Sequence, residues 1–243
     1  MDTYNLQLYD HLLQFPLFQG LSRAELLQMA GNTKFGFLKV APGKPIVSDG
    51  ELCTQLFFLI GGTLTLITRS DDHGYSIVEP LSAPWLLQPE ALFGLSPRFS
   101  CTAMAGSEAC GRETRPGSGP HTADTASQFI TLSKDEMLRL LDDFLIIRLN
   151  FLNIMATVAQ RRSRQAWHRS SPGLRSRIVR FLTEHCAYPA GPKTVNILME
   201  RLAMEMNDSR RDVSQVLNAM QAESLLTLHR GKIEIPSLER LFM

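Results

Sequence analysis

The stretch ILMERLAMEMNDSRRDVSQVL, residues 197–217, decides the fold. Leu202, Ala203, Met206, Val213, Val216 and Leu217 recur at helical spacing and form the inner faces of two short helices. The small Ala203 lets those helices approach at their corner, and Ser209 is a residue type that caps a helix start by accepting from its free N–H groups. Two helices joined this tightly form a helix-turn-helix. With Ser209 as cap, Arg210, Arg211, Ser214 and Gln215 fall on the outer N-terminal surface of the second helix. From there Arg can pair bidentately with guanine and Gln with adenine in a major groove. A plain helical hairpin with a solvated Arg face gives the same pattern, but the residues that follow argue against it. Leu225–His229 and Lys232–Ile235 are short β runs around Arg230-Gly231, as a wing requires, and His229, Arg230 and Lys232 stand ready for phosphates.

Upstream, Leu174–His185 is a helix and Ala187–Lys193, rich in Pro and Gly, a loop. Ser170-Ser171-Pro172-Gly173 is a break. Before it runs a long helix on which Phe144, Ile147, Phe151, Ile154 and Val158 are spaced 3, 4, 3, 4. That is the a/d seam of a coiled coil, so the stripe predicts a dimer interface; a helix packed on its own barrel carries the same stripe. The seam dissolves into Arg161, Arg162, Arg164 and Gln165. A shorter helix over Ser133–Asp143, with Ser133 as cap and Glu136 as its partner, precedes it. The chain thus divides into residues 1–143, a helix and hinge at 144–171, and residues 172–243.

In the first division Ser22 and Glu25 form a capping box for a small helix reaching Met29. From Thr33 to Leu81 the period changes to two. The runs Phe35–Val40, Pro45–Val47, Leu56–Ile60, Thr63–Thr68 and Tyr75–Val78 are separated by Pro42-Gly43, Asp49-Gly50, Gly61-Gly62 and Asp72–Gly74. Many short strands with turns between them predict a jelly roll or barrel, making the whole chain α+β. Residues 106–127, rich in Gly, Pro, Ser and Thr, read as an inserted surface loop or as an artefact of gene assembly. Thr102-Ala103 and Thr122-Ala123 are equal candidates to open the next strand.

The overall charge of +1 hides an asymmetry. Residues 1–158 hold 11 Lys/Arg against 16 Asp/Glu, whereas residues 159–243 hold 14 against 8. The basic part is the candidate for meeting a polyanion. The longest apolar stretch, Leu56–Ile67, is interrupted by glycines and threonines and too short to span a bilayer, and no basic N-terminal region marks a secretory signal. A cytoplasmic protein with no membrane partner is expected. Cys53, Cys101, Cys110 and Cys186 are scattered, so free thiols and no metal or cofactor are expected. His73 and His121 alone fall in the barrel region, without the converging histidines of a metal-dependent barrel enzyme, and Asp142-Asp143 is most simply a cap. No catalytic residue is assigned.

From Pro16 onward the order of helix, barrel, long helix and winged helix-turn-helix resembles the CRP/FNR family of bacterial transcription regulators. The resemblance implies a homodimer that binds double-stranded DNA at an inverted-repeat operator, with RNA polymerase as a further partner. The family's recognition helix begins S-R-E-x-x-x-R; Ser209 and Arg210 match, whereas Arg211 and Gln215 replace the Glu and the second Arg. The half-site should therefore differ from the family's commonest one. The barrel is similar to a cyclic-nucleotide-binding domain, whose phosphate cassette pairs a Gly-Glu with an Arg-Ser/Thr. Here Pro89-Glu90 and Phe99-Ser100 stand in those places, Arg98 is one residue out of register, and Arg162-Ser163 half matches the adenine contact. Glu90, Arg98, Ser100, Arg162 and Ser163 are thus the effector-pocket candidates. A buried phosphate without its cation is costly, so the expectation is either a small-molecule effector other than cyclic AMP or no effector at all. The alternative is a ligand-binding barrel whose winged helix serves protein contacts.

Overall fold

Where apolar residues alternate the chain runs as strands, and where they recur at three and four it coils. The computed structural model describes residues 3–106, 126–167 and 173–242. Helices α1 (Thr3–Leu12) and α2 (Arg23–Asn32) lead into strands β1 (Phe35–Val40), β2 (Pro45–Val47), β3 (Gln55–Gly61), β4 (Thr63–Arg69), β5 (Tyr75–Ser82), β6 (Trp85–Leu87), β7 (Thr102–Ala105) and β8 (Ser127–Ser133). Then follow α3 (Lys134–Asp143), α4 (Leu145–Trp167), α5 (Leu174–Glu184), β9 (Lys193–Ile197), α6 (Met199–Met206), α7 (Arg210–Ala222), β10 (Thr227–His229) and β11 (Lys232–Ile235). Most of the segment 106–127, with Cys110, His121 and Thr122-Ala123, lies outside the described residues, as does the break at 170–172. Thr102-Ala103 does open a strand, pairing with β4 and β2.

All strand pairs are antiparallel. One sheet has the order β1-β8-β3-β6 and a second the order β10-β11-β9-β5-β4-β7-β2. Leu56 to Leu59 of β3, Leu64 and Leu66 of β4, and Phe129, Ile130 and Leu132 of β8 share one core with Phe15, Leu17 and Phe18. Burying several such side chains, at ~1.5–3 kcal/mol each, is what offsets the entropy of ordering the strands. Gly62 turns β3 into β4 at φ +83°, and a Cβ there would lie 3.1 Å from the Ser127 backbone, so only glycine fits. Ser22 and Glu25 form the expected capping box. His73 is a turn residue at φ 55°.

The apolar stripe of α4 needs correcting. Phe144, Ile147 and Phe151 are buried in the chain's own barrel core, and Ile154 packs on it; Val158 lines a cavity beside the barrel. A helix lying on a barrel needs the same 3, 4 spacing as one lying on a partner, and this stripe serves the barrel. The opposite side of α4 exposes Leu145 (63%), Leu149 (50%) and Leu152 (56%). Ala156 and Ala159 continue that line in the exposed part of the helix.

A second core gathers Ile178, Val179, Phe181 and Leu182 of α5 with Leu202, Ala203, Met206, Val213 and Leu217. Strand β9 was not foreseen, although Thr194, Val195 and Ile197 are β-formers. It joins the two parts of the chain, because β11 pairs with one of its edges and β5 with the other. Residues 75–78 lie opposite 194–197, and Ile77 of β5 belongs to the second core.

Cys53, Cys101 and Cys186 are buried free thiols. Burial pushes Cys101 and Cys186 up to about 12, leaving almost no thiolate at neutral pH. Peptide mapping after brief alkylation at pH 8 should therefore find both unmodified in the native protein and both modified in denaturant; native labelling within minutes would contradict this burial.

Candidate nucleic-acid interface

The reading surface is assembled by caps and ion pairs around α7. Asn207 ends α6 in the left-handed conformation at φ 48°, which Asn tolerates. Asp208 N–H then donates back to Ala203 O at 3.1 Å, closing the turn. Ser209 Oγ accepts from Asp212 N–H (3.1 Å) and donates to the Asp212 carboxylate (2.6 Å). Asp212 thus serves the cap instead of holding Arg211, which is exposed together with Arg210 and Gln215. Ser214 is half-buried, with Asn218 3.4 Å from its hydroxyl. Two ion pairs brace this geometry from α5. Arg177 meets Asp208 in the turn (2.5 Å), and Arg175 grips Glu223 with both guanidinium nitrogens (2.7 and 2.6 Å). Those hydrogen bonds from Arg175 hold the Glu223 carboxyl below its usual range.

Beside α7 the strands β10 and β11 form the wing, with Arg230 exposed at its tip. Gln221 ties wing to helix by accepting from Leu228 N–H at 2.7 Å. His229 and Lys232 lie 3.4 and 2.5 Å from Glu234, so each has an acidic neighbour. Arg210 lies 3.2 Å from Glu200, but both side chains are about two-thirds exposed or more. An exposed pair of that kind is worth ~0–1 kcal/mol, and a stronger acceptor displaces it readily.

Of the effector candidates, three converge. Glu90, Ser100 and Arg162 line a cavity of about 380 Å³ between barrel, α4 and residues 184–188. Arg162 lies 3.3 Å from Glu90. Ser100 is held by Gln88, whose amide accepts from Ser100 N–H at 3.1 Å and donates to its hydroxyl at 2.8 Å. Arg98 does not line the cavity: it bridges to Leu52 through its backbone, and its guanidinium donates to Gly50 O at 2.7 Å. Ser163 is exposed and not part of the cavity wall. Arg161, not singled out from sequence, lines the cavity while donating to Ala187 O (2.6 Å) and Cys186 O (2.9 Å).

The sequence reading also missed Glu79 and Lys193. They lie 3.1 Å apart with side chains 0% and 1% exposed. A signal existed: Glu79 shares the inward register of Ile77 and Leu81, and Lys193 that of Val195 and Ile197. Among the described residues no three His, Cys, Asp or Glu side chains group to hold a metal ion. No described helix is long and apolar enough to cross a membrane.

Residues 176–242 match the family model of the Crp-like helix-turn-helix domain. None of the curated proteins searched matches the chain. Among solved structures, the sensor domain of the transcriptional regulator DNR from Pseudomonas aeruginosa is similar at 16% identity and a TM-score of 0.50, covering 71% of this chain and 99% of that one. The Thermus thermophilus catabolite activator protein covers 94% of this chain and 97% of its own at 19% identity and a TM-score of 0.46. The first likeness shows the fold of the barrel part. Residues 176–242 thus carry a Crp-like helix-turn-helix domain, set behind a barrel that shares its fold with that sensor domain.

Proposed function

We propose that the protein works as a homodimer that reads an inverted-repeat operator, with residues 1–143 as effector barrel, 144–171 as dimer helix and hinge, and 172–243 as reading head. The observation that carries this reading is the surface around the Ser209 cap, where Arg210, Arg211 and Gln215 stand exposed beside the Arg230 wing tip. Such a surface suits base edges flanked by phosphates. The dimer seam is Leu145, Leu149, Leu152, Ala156 and Ala159, spaced 4, 3, 4, 3 along the exposed side of α4. Three exposed leucines on one helix face ask for a cover, and small alanines further along let a second copy of the same helix approach. The work is regulatory, not catalytic, and takes place in the cytoplasm, with RNA polymerase as a further partner.

A gel shift with genomic fragments at stepped salt tests the reading. Phosphate neutralisation makes log affinity fall linearly with log salt. Binding that is absent at low salt, or independent of salt, would favour protein contacts by the winged helix instead.

The effector is a small molecule other than cyclic AMP. In the cavity both arginines are engaged, Arg162 by Glu90 and Arg161 by two carbonyls, and Ser100 is held by Gln88. A cyclic phosphate would need at least one of those cations released. Calorimetry should give a dissociation constant for cyclic AMP weaker than ~10 µM, about −7 kcal/mol; tighter binding would show that an arginine has changed partners.

A further inference from the structure

We propose that Glu79 and Lys193 are positioning residues that seat the reading head on the barrel in one orientation, and so set the operator half-site spacing that the dimer accepts. The inference rests on the DNA-binding reading above. Its starting point is a carboxylate on the barrel whose partners all come from the other part of the chain. Glu79 accepts from Ala187 N–H (2.8 Å) and Tyr188 N–H (3.1 Å), and Lys193 Nζ lies 3.1 Å away. The ammonium is set at an angle too poor for a hydrogen bond, so its attraction to Glu79 is chiefly Coulombic; it also lies 5.7 Å over the Tyr188 ring.

Both charges are shut away from water, and each compensates the other. Partial separation would leave two buried charges unpaired, which is costlier than either the closed state or a fully open, hydrated one. The contact is therefore all-or-none. Around it the seating is continuous. Residues 75–78 pair with 194–197, Tyr75 packs edge-on against Phe181 at 5.3 Å, and Arg201 of α6 meets Asp72 at the tip of the β4–β5 hairpin. One sheet thus runs from β2 to the wing, while the exposed seam of α4 belongs to the helix that packs on the same barrel. A reading head fixed to the barrel is fixed relative to the dimer axis, and the distance between the two recognition helices follows. None of these seating residues lies on the exposed surface of α7, so unseating leaves half-site chemistry untouched.

Glu79→Gln keeps the shape, removes the charge and strands Lys193. In the full-length protein, amide exchange at residues 75–78 and 194–197 should rise about tenfold or more, with β3 and β8 amides unchanged as a check on folding. On a panel of inverted repeats whose half-sites are moved apart in single base-pair steps, the wild type should prefer one spacing by about tenfold, and Glu79→Gln should hold all spacings within about threefold while binding an isolated half-site as the wild type does. Adding Ser76→Cys and Asn196→Cys, which stand opposite each other in the β5–β9 pairing, should restore the preference once oxidised. Unchanged exchange overturns the clamp. Raised exchange with an unaltered spacing preference, or a lock that restores nothing, overturns its role in spacing. A wild-type protein that binds no DNA overturns the DNA-binding reading and the spacing role with it, and the exchange pattern still decides whether the clamp exists.

Discussion

Leu149→Glu is expected to turn the protein into a monomer and to weaken its binding to an inverted-repeat operator by about a hundredfold or more, the avidity lost when two linked half-site contacts become one. Leu149 is half exposed on α4, between the more exposed Leu145 and Leu152. In a two-fold helix pair it would face its own copy, so the change places two carboxylates at the centre of an apolar seam. The monomer should keep its fold, because Leu145, Leu149 and Leu152 are exposed and belong to neither core among the described residues. Ile147 supplies the contrast. It is 0% exposed on the barrel side, and Ile147→Ala should cost ~2–5 kcal/mol of stability through the cavity it leaves, with the dimer intact below the melting range. Sedimentation and thermal unfolding of the two variants separate the faces. If Leu149→Glu sediments as a dimer at micromolar concentration, the seam is elsewhere.

Arg210→Ala should cost ~1–3 kcal/mol on the best operator and relax preference at one base pair in each half-site. Arg210 is the first residue of α7 after its Ser209 cap, and its present partner Glu200 sits in water and gives way easily. The planar guanidinium can then meet both acceptors of a guanine. Gln215, exposed one and a half turns on, should specify a second position in the same way. Lys232→Ala should weaken all sequences alike and flatten the salt slope by less than one, because Glu234 at 2.5 Å already neutralises part of its charge. A panel of single-base operator variants decides: an Arg210→Ala protein that retains the full wild-type ranking of sites does not read a base through Arg210.

Wherever local chemistry suffices, the chain could be read without its structure. The Ser209 cap, the Asn207-Asp208 turn and the Arg230-Gly231 wing tip depend on residues within a few positions of each other, and so do the Ser22–Glu25 capping box and the strands from β1 to β5. The α4 stripe was legible as a stripe and not as a destination. A 3, 4 repeat states that one side of a helix is buried, and both a barrel and a second helix satisfy it. Only the packing of Ile147 under the barrel, with Leu149 turned outward, separates the two.

The sequence by itself determined the strands from β1 to β5, the helices from α2 to α7, the cap of the recognition helix and the identity of the side chains on its outer surface, because those follow from hydrogen bonds and periodicities of short range. Tertiary structure alone decided which side of α4 the barrel takes, that Arg98 leaves the cavity while Arg161 enters it, and that β5 joins β9 around the Glu79–Lys193 pair. Those outcomes depend on contacts between residues far apart in the chain. Glu79 and Lys193 are separated by more than a hundred residues, and although the inward register marks each as a buried charge, only folding brings it to the one that compensates it.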